Sequence, residues 1–453
     1  MRNALAFCIL VLGLSGCFPR AFNDSKKSQI KDTTSEMNFS QWYNSLPTGP
    51  IANYELTANV VFHKVGSELI PDFSTRFIPE AKMEKRIDYV TSGSNKGSAD
   101  GGVSMVWMRD YQPIVIKSSD PKAGGKARFI SYLSINQARS AYNGTVGMGG
   151  PSADLLGPHL ISIDKEVIGT EVDSISLIRM PLLIEGGNLV STGEHVFLTE
   201  HIFQQNSRAY IDYLNKSGRK FDANSLDKIY RENGFYTENE LGEKFEYRTP
   251  EQVRSVLSKY LEVKSENIVT LPMLPGEGTH HVDLFLLAMG RKQVMVPEIT
   301  DAGISALAFD SEKPLARAAQ EFLNTQANLL RSRYGYQVDR LEMLPPIFQI
   351  EQGGEKQAVY FSPANVLLAN LDGVRKNVFI PHFEVPADWG QPFRAYSAKI
   401  EEQWKSYFSK NGWQPMFITA NKAARAYGLI RCLTASVPFV SERHMNRFLK
   451  LKY

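Results

Sequence analysis

From Tyr54 onward, short apolar runs alternate with longer amphipathic stretches. Val60-Val61-Phe62, Ile114-Val115-Ile116, Phe129-Ile130-Ser131-Tyr132 and Ile175-Ser176-Leu177-Ile178 are brief and rich in β-branched or aromatic residues, so each predicts a strand. Val196-Phe197-Leu198, Ile268-Val269-Thr270-Leu271, Leu284-Phe285-Leu286-Leu287, Val294-Met295-Val296, Val366-Leu367-Leu368 and Val378-Phe379-Ile380 continue the series. Helical spacing marks the stretches between. Thr249-Pro250-Glu251-Gln252 reads as a capping box with proline at the first helical position. Val253, Val256, Leu257, Tyr260 and Leu261 then fall on one face. A second helix is predicted from Pro314 to about Tyr334, with Leu315, Ala318, Ala319, Phe322 and Leu330 apolar and Gly335 as its stop. A third runs from Ser397 to Lys410, turning Ile400, Trp404, Tyr407 and Phe408 inward and ending at Gly412. Strand and helix alternate to the end, which argues an α/β fold rather than an all-β one. No direct sequence repeat recurs at a fixed spacing.

The amino terminus has a different texture. Met1-Arg2 is a short positive start, and Ala4 to Leu14 is an apolar run of signal length, too short to span a bilayer. It ends in Leu14-Ser15-Gly16-Cys17, which resembles the lipobox of bacterial lipoproteins. That resemblance implies a signal peptide over 1–16, acylation of Cys17 and an exported protein tethered to the cell envelope by its lipid. Phe18, rather than an aspartate, follows the cysteine, which favours the outer over the inner membrane. Residues 17–50 are polar and without periodicity and read as a flexible tether, leaving 51–453 as the folded body. The segment Tyr213–Arg248 is polar and helix-prone and reads as an insertion at the rim.

Composition bears mainly on partners. The chain has 453 residues, 43% apolar and 22% charged, with a net charge of only +3, so a large core is available and a nucleic-acid partner is not indicated. Three cysteines are present. Cys8 and Cys17 lie in the export segment, which leaves Cys432 without an internal disulfide partner. It is then a buried apolar residue, an intermolecular linker or a reactive thiol.

Four stretches combine glycine, charge and aromatic residues. They are Trp107-Met108-Arg109-Asp110, Glu185-Gly186-Gly187-Asn188, Gly278-Thr279-His280-His281-Val282-Asp283 and Gly428-Leu429-Ile430-Arg431-Cys432-Leu433-Thr434. Singly, each has an ordinary reading. Asp110 pairs with Arg109 or caps a turn, and Glu185-Gly186-Gly187 is a turn. His281 and Asp283, two apart, share one side of an extended chain. His280, His281 and Asp283 also offer metal ligands, although the other histidines lack metal-like spacing.

Together, in this order, the four resemble the guanidine-modifying enzymes: agmatine deiminases, bacterial peptidylarginine deiminases and arginine deiminase. Asn365 and Asn370, in Pro363-Ala364-Asn365-Val366-Leu367-Leu368-Ala369-Asn370, resemble the family's asparagine-bearing strand. The resemblance runs from about Tyr54 to Pro438. It implies a five-bladed α/β propeller, the pentein fold, with pseudo-fivefold ββαβ units around a central site. It implies hydrolysis of a guanidino group to a ureido group plus ammonia, with no cofactor and no metal. Asp110 and Asp283 would clamp the flat cation through paired charge-assisted hydrogen bonds, with Trp107, Arg109 and Asn365 also at the substrate. Cys432 would attack the central carbon and form a thiouronium intermediate. His281 would protonate departing ammonia and then activate water, and Glu185 would orient His281.

The chain departs from the agmatine deiminase pattern at three places. Arg431 stands where those enzymes carry histidine, Tyr427-Gly428 where they carry two glycines, and Gln112 where they carry glycine before proline. The departures and the export signal favour arginine or an arginyl peptide or protein over agmatine. Two rivals remain. Interception of the intermediate by an amine would make the protein an amidinotransferase. A binding lipoprotein on the same scaffold would not turn over at all.

Overall fold

The computed structural model describes residues 48–52, 60–62, 109, 114–118, 127–133, 175–210, 212, 243, 245–350, 356–369, 376–426 and 428–437. Cys8, Cys17, Trp107, Asp110, Asn370 and Tyr427 lie outside the described residues, as do the signal and tether segments and most of Tyr213–Arg248.

Strands in chain order are β1 (Gly49–Pro50), β2 (Val60–Phe62), β3 (Ile114–Lys117), β4 (Ala127–Leu133) and β5 (Ile175–Leu183). Next come β6 (Val190–Ser191), β7 (Val196–Thr199), β8 (Ile268–Leu271), β9 (Leu287–Gly290), β10 (Gln293–Met295) and β11 (Gln337–Asp339). The series closes with β12 (Leu344–Ile350), β13 (Lys356–Phe361), β14 (Leu367–Ala369), β15 (Asn377–His382), β16 (Gln414–Thr419) and β17 (Ala435–Val437). The helices are α1 (His201–Gln205), α2 (Pro250–Leu261), α3 (Asp301–Ala306), α4 (Lys313–Ser332), α5 (Gly390–Lys410) and α6 (Asn421–Arg425). The fold is mixed α/β, as the alternation predicts.

Four sheets share one strand plan. An antiparallel pair is extended by a third strand lying parallel to its second member. The four are β3-β4-β5, which also carries β1 antiparallel on β3, β6-β7-β8, β9-β10-β11 and β14-β15-β16. In the last three the crossover carries a helix, α2, α4 and α5 respectively, because a parallel return needs a long connection. The plan recurs without a sequence repeat, since backbone hydrogen bonds set it. β12 and β13 form a separate hairpin, and β17 pairs antiparallel with β2.

Local chemistry explains the helix ends. Thr249 Oγ1 accepts from the Gln252 amide at 3.3 Å, and Gln252 Oε1 accepts from the Thr249 amide at 2.8 Å, closing the predicted capping box. Such a cap is worth about 1 kcal/mol. Gly335 and Gly412 take left-handed φ of 68° and 79° just past α4 and α5. There the Tyr336 amide reaches Leu330 O at 3.0 Å and the Trp413 amide reaches Phe408 O at 2.9 Å.

Three details differ from the sequence reading. α5 begins at Gly390, seven positions ahead of Ser397, because Pro392 fits a first helical turn. On α4 the buried row is Leu315, Ala316, Ala319, Leu323, Ala327 and Leu330, while Ala318 is exposed and Phe322 half-buried. Leu284–Leu287 is not a strand. Val282–Leu284 is a 3-10 turn, and β9 starts only at Leu287. Leu284 to Leu287 is fully buried, and an unbroken apolar run cannot by itself tell a strand from a buried turn.

The larger core runs from Phe197 through Phe285 and Phe379 to Trp404 and Phe408. Trp404 Nε1 donates to Glu342 O at 2.6 Å, so the indole is buried with its one donor satisfied. A second core packs α2, through Val253, Leu257 and Leu261, onto Met180, Leu182, Leu198 and Ile268. Among the described residues no helix is long and apolar enough to cross a membrane.

Candidate active site

The turn carrying Cys432 is built by its own backbone. The Leu433 amide reaches Leu429 O at 3.2 Å, and Thr434 Oγ1 donates to Ile430 O at 3.0 Å. Asn365, in the turn between β13 and β14, fastens it from outside. Its Oδ1 accepts from the amides of Arg431 and Cys432 at 3.0 and 3.3 Å, and its Nδ2 donates to Cys432 Sγ at 3.2 Å. Asn365 is fully buried against the Cys432 turn. Arg109 likewise holds this turn. Its amide donates to Cys432 O at 3.1 Å and its Nε to Arg431 O at 3.4 Å.

Two further turns bring in the imidazole and the carboxylates. After β5, Glu185 leads into the Gly186–Asn188 turn, closed by the Asn188 amide on Glu185 O at 2.8 Å. After β8, Glu277 is fully buried and organises the next turn. Its Oε1 accepts from the amide and Oγ1 of Thr279 at 2.7 and 2.8 Å, and its Oε2 from the His280 amide at 2.5 Å. His280 takes a left-handed φ of 60°, which reverses the chain and presents His281 and Asp283 inward. His281 is extended, whereas Asp283 lies in the 3-10 turn that follows rather than farther along an extended chain. Thr199 on β7 ties the two turns together, with Oγ1 3.0 Å from Asn188 Oδ1 and 2.6 Å from His280 O.

At the centre, a ring nitrogen of His281, a carboxylate oxygen of Asp283 and Sγ of Cys432 all lie within 4.8 Å of one another. All three residues are buried. Glu185 Oε2 pairs with His281 Nε2 at 3.0 Å. Gln205 Nε2 reaches the same oxygen at 3.4 Å. The second glycine of Glu185-Gly186-Gly187 makes room for the ring: a Cβ on Gly187 would stand 2.3 Å from His281 Nδ1. The structure thus brings Glu185, His281, Asp283, Cys432, Asn365 and Arg109 together, while Trp107 and Asp110 fall outside the described residues.

Burial sets the charges. Desolvation pushes the Cys432 thiol up, the Asp283 carboxylate adds to this, and His281 opposes it. Asp283 is also pushed up by burial, against the pull of Arg431, His281 and Arg109. Glu277 is raised by burial despite its three donors. The His280 imidazole drops to about 4, first from desolvation and then from the neighbouring His201 ring, 4.6 Å away.

Arg431, next to Cys432 in sequence, is directed to Asp283. Its Nε pairs with Asp283 Oδ2 at 3.5 Å, with both side chains nearly inaccessible. The metal reading for His280, His281 and Asp283 is not the grouping found, because His280 packs on His201. His281, Asp283 and Cys432 do form an N, O, S donor set. The Arg431 guanidinium, however, already supplies the positive charge that Asp283 faces. Glu277, Thr199 and Gln205 are absent from the sequence reading. The one available signal is a carboxylate lodged between glycines in Gly276-Glu277-Gly278.

No protein-family model matches the chain, and no curated protein does. Among solved structures the chain is similar to the agmatine deiminase of Enterococcus faecalis, at 17% identity over 73% of this chain and 74% of that one, with a TM-score of 0.44. It is similar to the C. jejuni agmatine deiminase at 13% identity, over 73% and 71%, with a TM-score of 0.40. A cyanobacterial arginine dihydrolase is similar at 10% identity, over 76% of this chain and 34% of that one, with a TM-score of 0.34. With identities and TM-scores this low, the functional reading rests on the side chains.

Proposed function

We propose that the chain is a cysteine-dependent hydrolase of guanidino compounds, a deiminase that releases ammonia and leaves a ureido group, with arginine or peptidyl-arginine as substrate. The observation that carries it is the meeting of Cys432, His281 and Asp283 within 4.8 Å, with Glu185 on the far side of the imidazole. The four sheets of one strand plan support the reading of a five-bladed propeller around that meeting point.

Asp283, with Asp110 as its partner on this reading, holds the planar cation by charge-assisted hydrogen bonds. With the cation bound, the Cys432 thiol passes its proton to His281, and the thiolate sulfur bonds to the guanidine carbon. The tetrahedral adduct collapses as one nitrogen takes a proton from His281 and leaves as ammonia, giving a thiouronium. His281, now neutral, removes a proton from water. The resulting hydroxide bonds to the same carbon, the carbon–sulfur bond breaks, and the hydroxyl proton passes to the departing sulfur, which gives the ureido product and restores the thiol. Glu185 favours the protonated imidazole that the first half needs.

The test is ammonia and ureido release from L-arginine, an arginyl peptide and agmatine, in the wild type and in Cys432→Ser. The wild type should turn over at least one of the three. The nearly isosteric serine should keep the circular dichroism spectrum and lose turnover. Turnover retained by Cys432→Ser would remove the nucleophile from its role. The Arg431–Asp283 pair occupies the carboxylate assigned to the substrate and so favours one rival, a non-catalytic binding lipoprotein on the same scaffold, which would release nothing from these compounds.

A further inference from the structure

The carboxylate that the proposed function assigns to the substrate's guanidinium already faces a guanidinium of the chain itself. Arg431 Nε lies 3.5 Å from Asp283 Oδ2, the side chains being 4% and 0% exposed. It is the one ion pair of Asp283 among the described residues. The contact is long for a charge-assisted hydrogen bond, and among the described residues neither carboxylate oxygen of Asp283 meets hydrogen-bond geometry, although the Asn365 amide also bears on it. Arg431 Nη1 has no hydrogen-bond partner among those residues, and Nη2 reaches only Leu189 O at 3.4 Å. Arg431 therefore neutralises Asp283 without using the hydrogen-bonding capacity that makes a carboxylate a guanidinium receptor. Its backbone is fixed, because Asn365 Oδ1 takes the Arg431 amide at 3.0 Å, so any rearrangement belongs to the side chain alone.

Resting on the deiminase reading, we propose that Arg431 is a specificity-determining residue that holds the guanidinium position at Asp283 until a substrate displaces it. One buried carboxylate cannot serve two cations equally, and a second cation brought beside the first meets repulsion undiluted by water. A substrate head group wins by forming the paired hydrogen bonds that Arg431 does not form. Compounds that bind only weakly elsewhere in the site lose the exchange, so Arg431 filters out small guanidines and favours substrates with additional contacts.

The probe is methylguanidinium, the head group alone, and the readout is protection of Cys432 from iodoacetamide. In Arg431→Gln the half-protecting concentration should fall about tenfold or more below that of the wild type. Arg431→Lys, which keeps a charge but shortens its reach, should lie between them and guards against a glutamine variant that fails to fold. In a crystal structure of Cys432→Ser with methylguanidinium, the probe should sit on Asp283 with Arg431 withdrawn. Equal protection in the wild type and both variants, or an Arg431 still paired with Asp283 beside the bound probe, overturns the proposal while leaving the deiminase reading intact. Protection of none of the proteins at any concentration overturns both.

Discussion

His281 is held from two sides by one short turn. Glu185 takes Nε2, and Gly187 lies against the opposite edge of the ring with no side chain of its own. Alanine there would put a Cβ 2.3 Å from Nδ1. The ring is the movable party, and overpacking of this kind costs about 1–3 kcal/mol, so the fold should survive Gly187→Ala. The imidazole's aim should not, because a displacement of about 1 Å at a reacting group can cost a hundredfold in rate. The expected outcome is a kcat lowered about a hundredfold with a Tm shifted by only a few degrees. An unchanged kcat would show that the ring's position does not matter. From sequence, Glu185-Gly186-Gly187 reads as a turn and Glu185 as the partner of His281. The need for the second glycine is not legible there, because it comes from a ring on a turn 96 residues away from Glu185. The same limit applies to Arg431. Its neighbour in sequence is Cys432, but its partner in space is Asp283.

At the scale of elements, helices were the legible part. Caps and stop glycines act within a few residues, so Thr249, Gly335 and Gly412 could be read directly. The turn that presents His281 was not, since its shape comes from a buried carboxylate, Glu277, closing on Thr279 and His280. That turn makes a pH prediction. The folded protein lowers His280 to about 4 from an ordinary value near 6.5. A depressed imidazole stabilises the folded state above the unfolded value, and that stability is lost as pH falls from about 6.5 towards about 4. Allowing for the ring's partial exposure, the loss is about 1–2 kcal/mol. Glu277 and Asp283 act in the opposite direction, because their carboxyls are raised and acid relieves their burial. A difference measurement removes their share. Asparagine tolerates the left-handed φ of 60° and does not titrate. His280→Asn should therefore lose less Tm than the wild type between pH 7 and pH 4. Parallel Tm curves would exclude His280 as the source.

Across the whole molecule, mixed α/β was legible from alternation, whereas the shared strand plan of four sheets was not. Strand pairing is a backbone matter and leaves no repeat in the side chains. The candidate site draws on segments far apart in the chain. Cys432 O takes the Arg109 amide, β17 pairs with β2, and Asn365 and Asp283 come from two other turns. Arg109 and Arg431, which touch, are 322 residues apart. No single segment can shield the thiol, so its burial should persist until the assembly as a whole comes apart. The folded site admits a small reagent only slowly, so in urea the rise of iodoacetamide labelling above that native rate, read by mass on the Cys432 peptide, should follow the same midpoint as tryptophan fluorescence, to which Trp404 in the main core contributes. A rise that begins at clearly lower urea would mean that the Cys432 turn opens locally while the core stands. The site would then be a separable layer on the fold, and the hydrogen bonds from Asn365 and Arg109 would not be what keeps it closed.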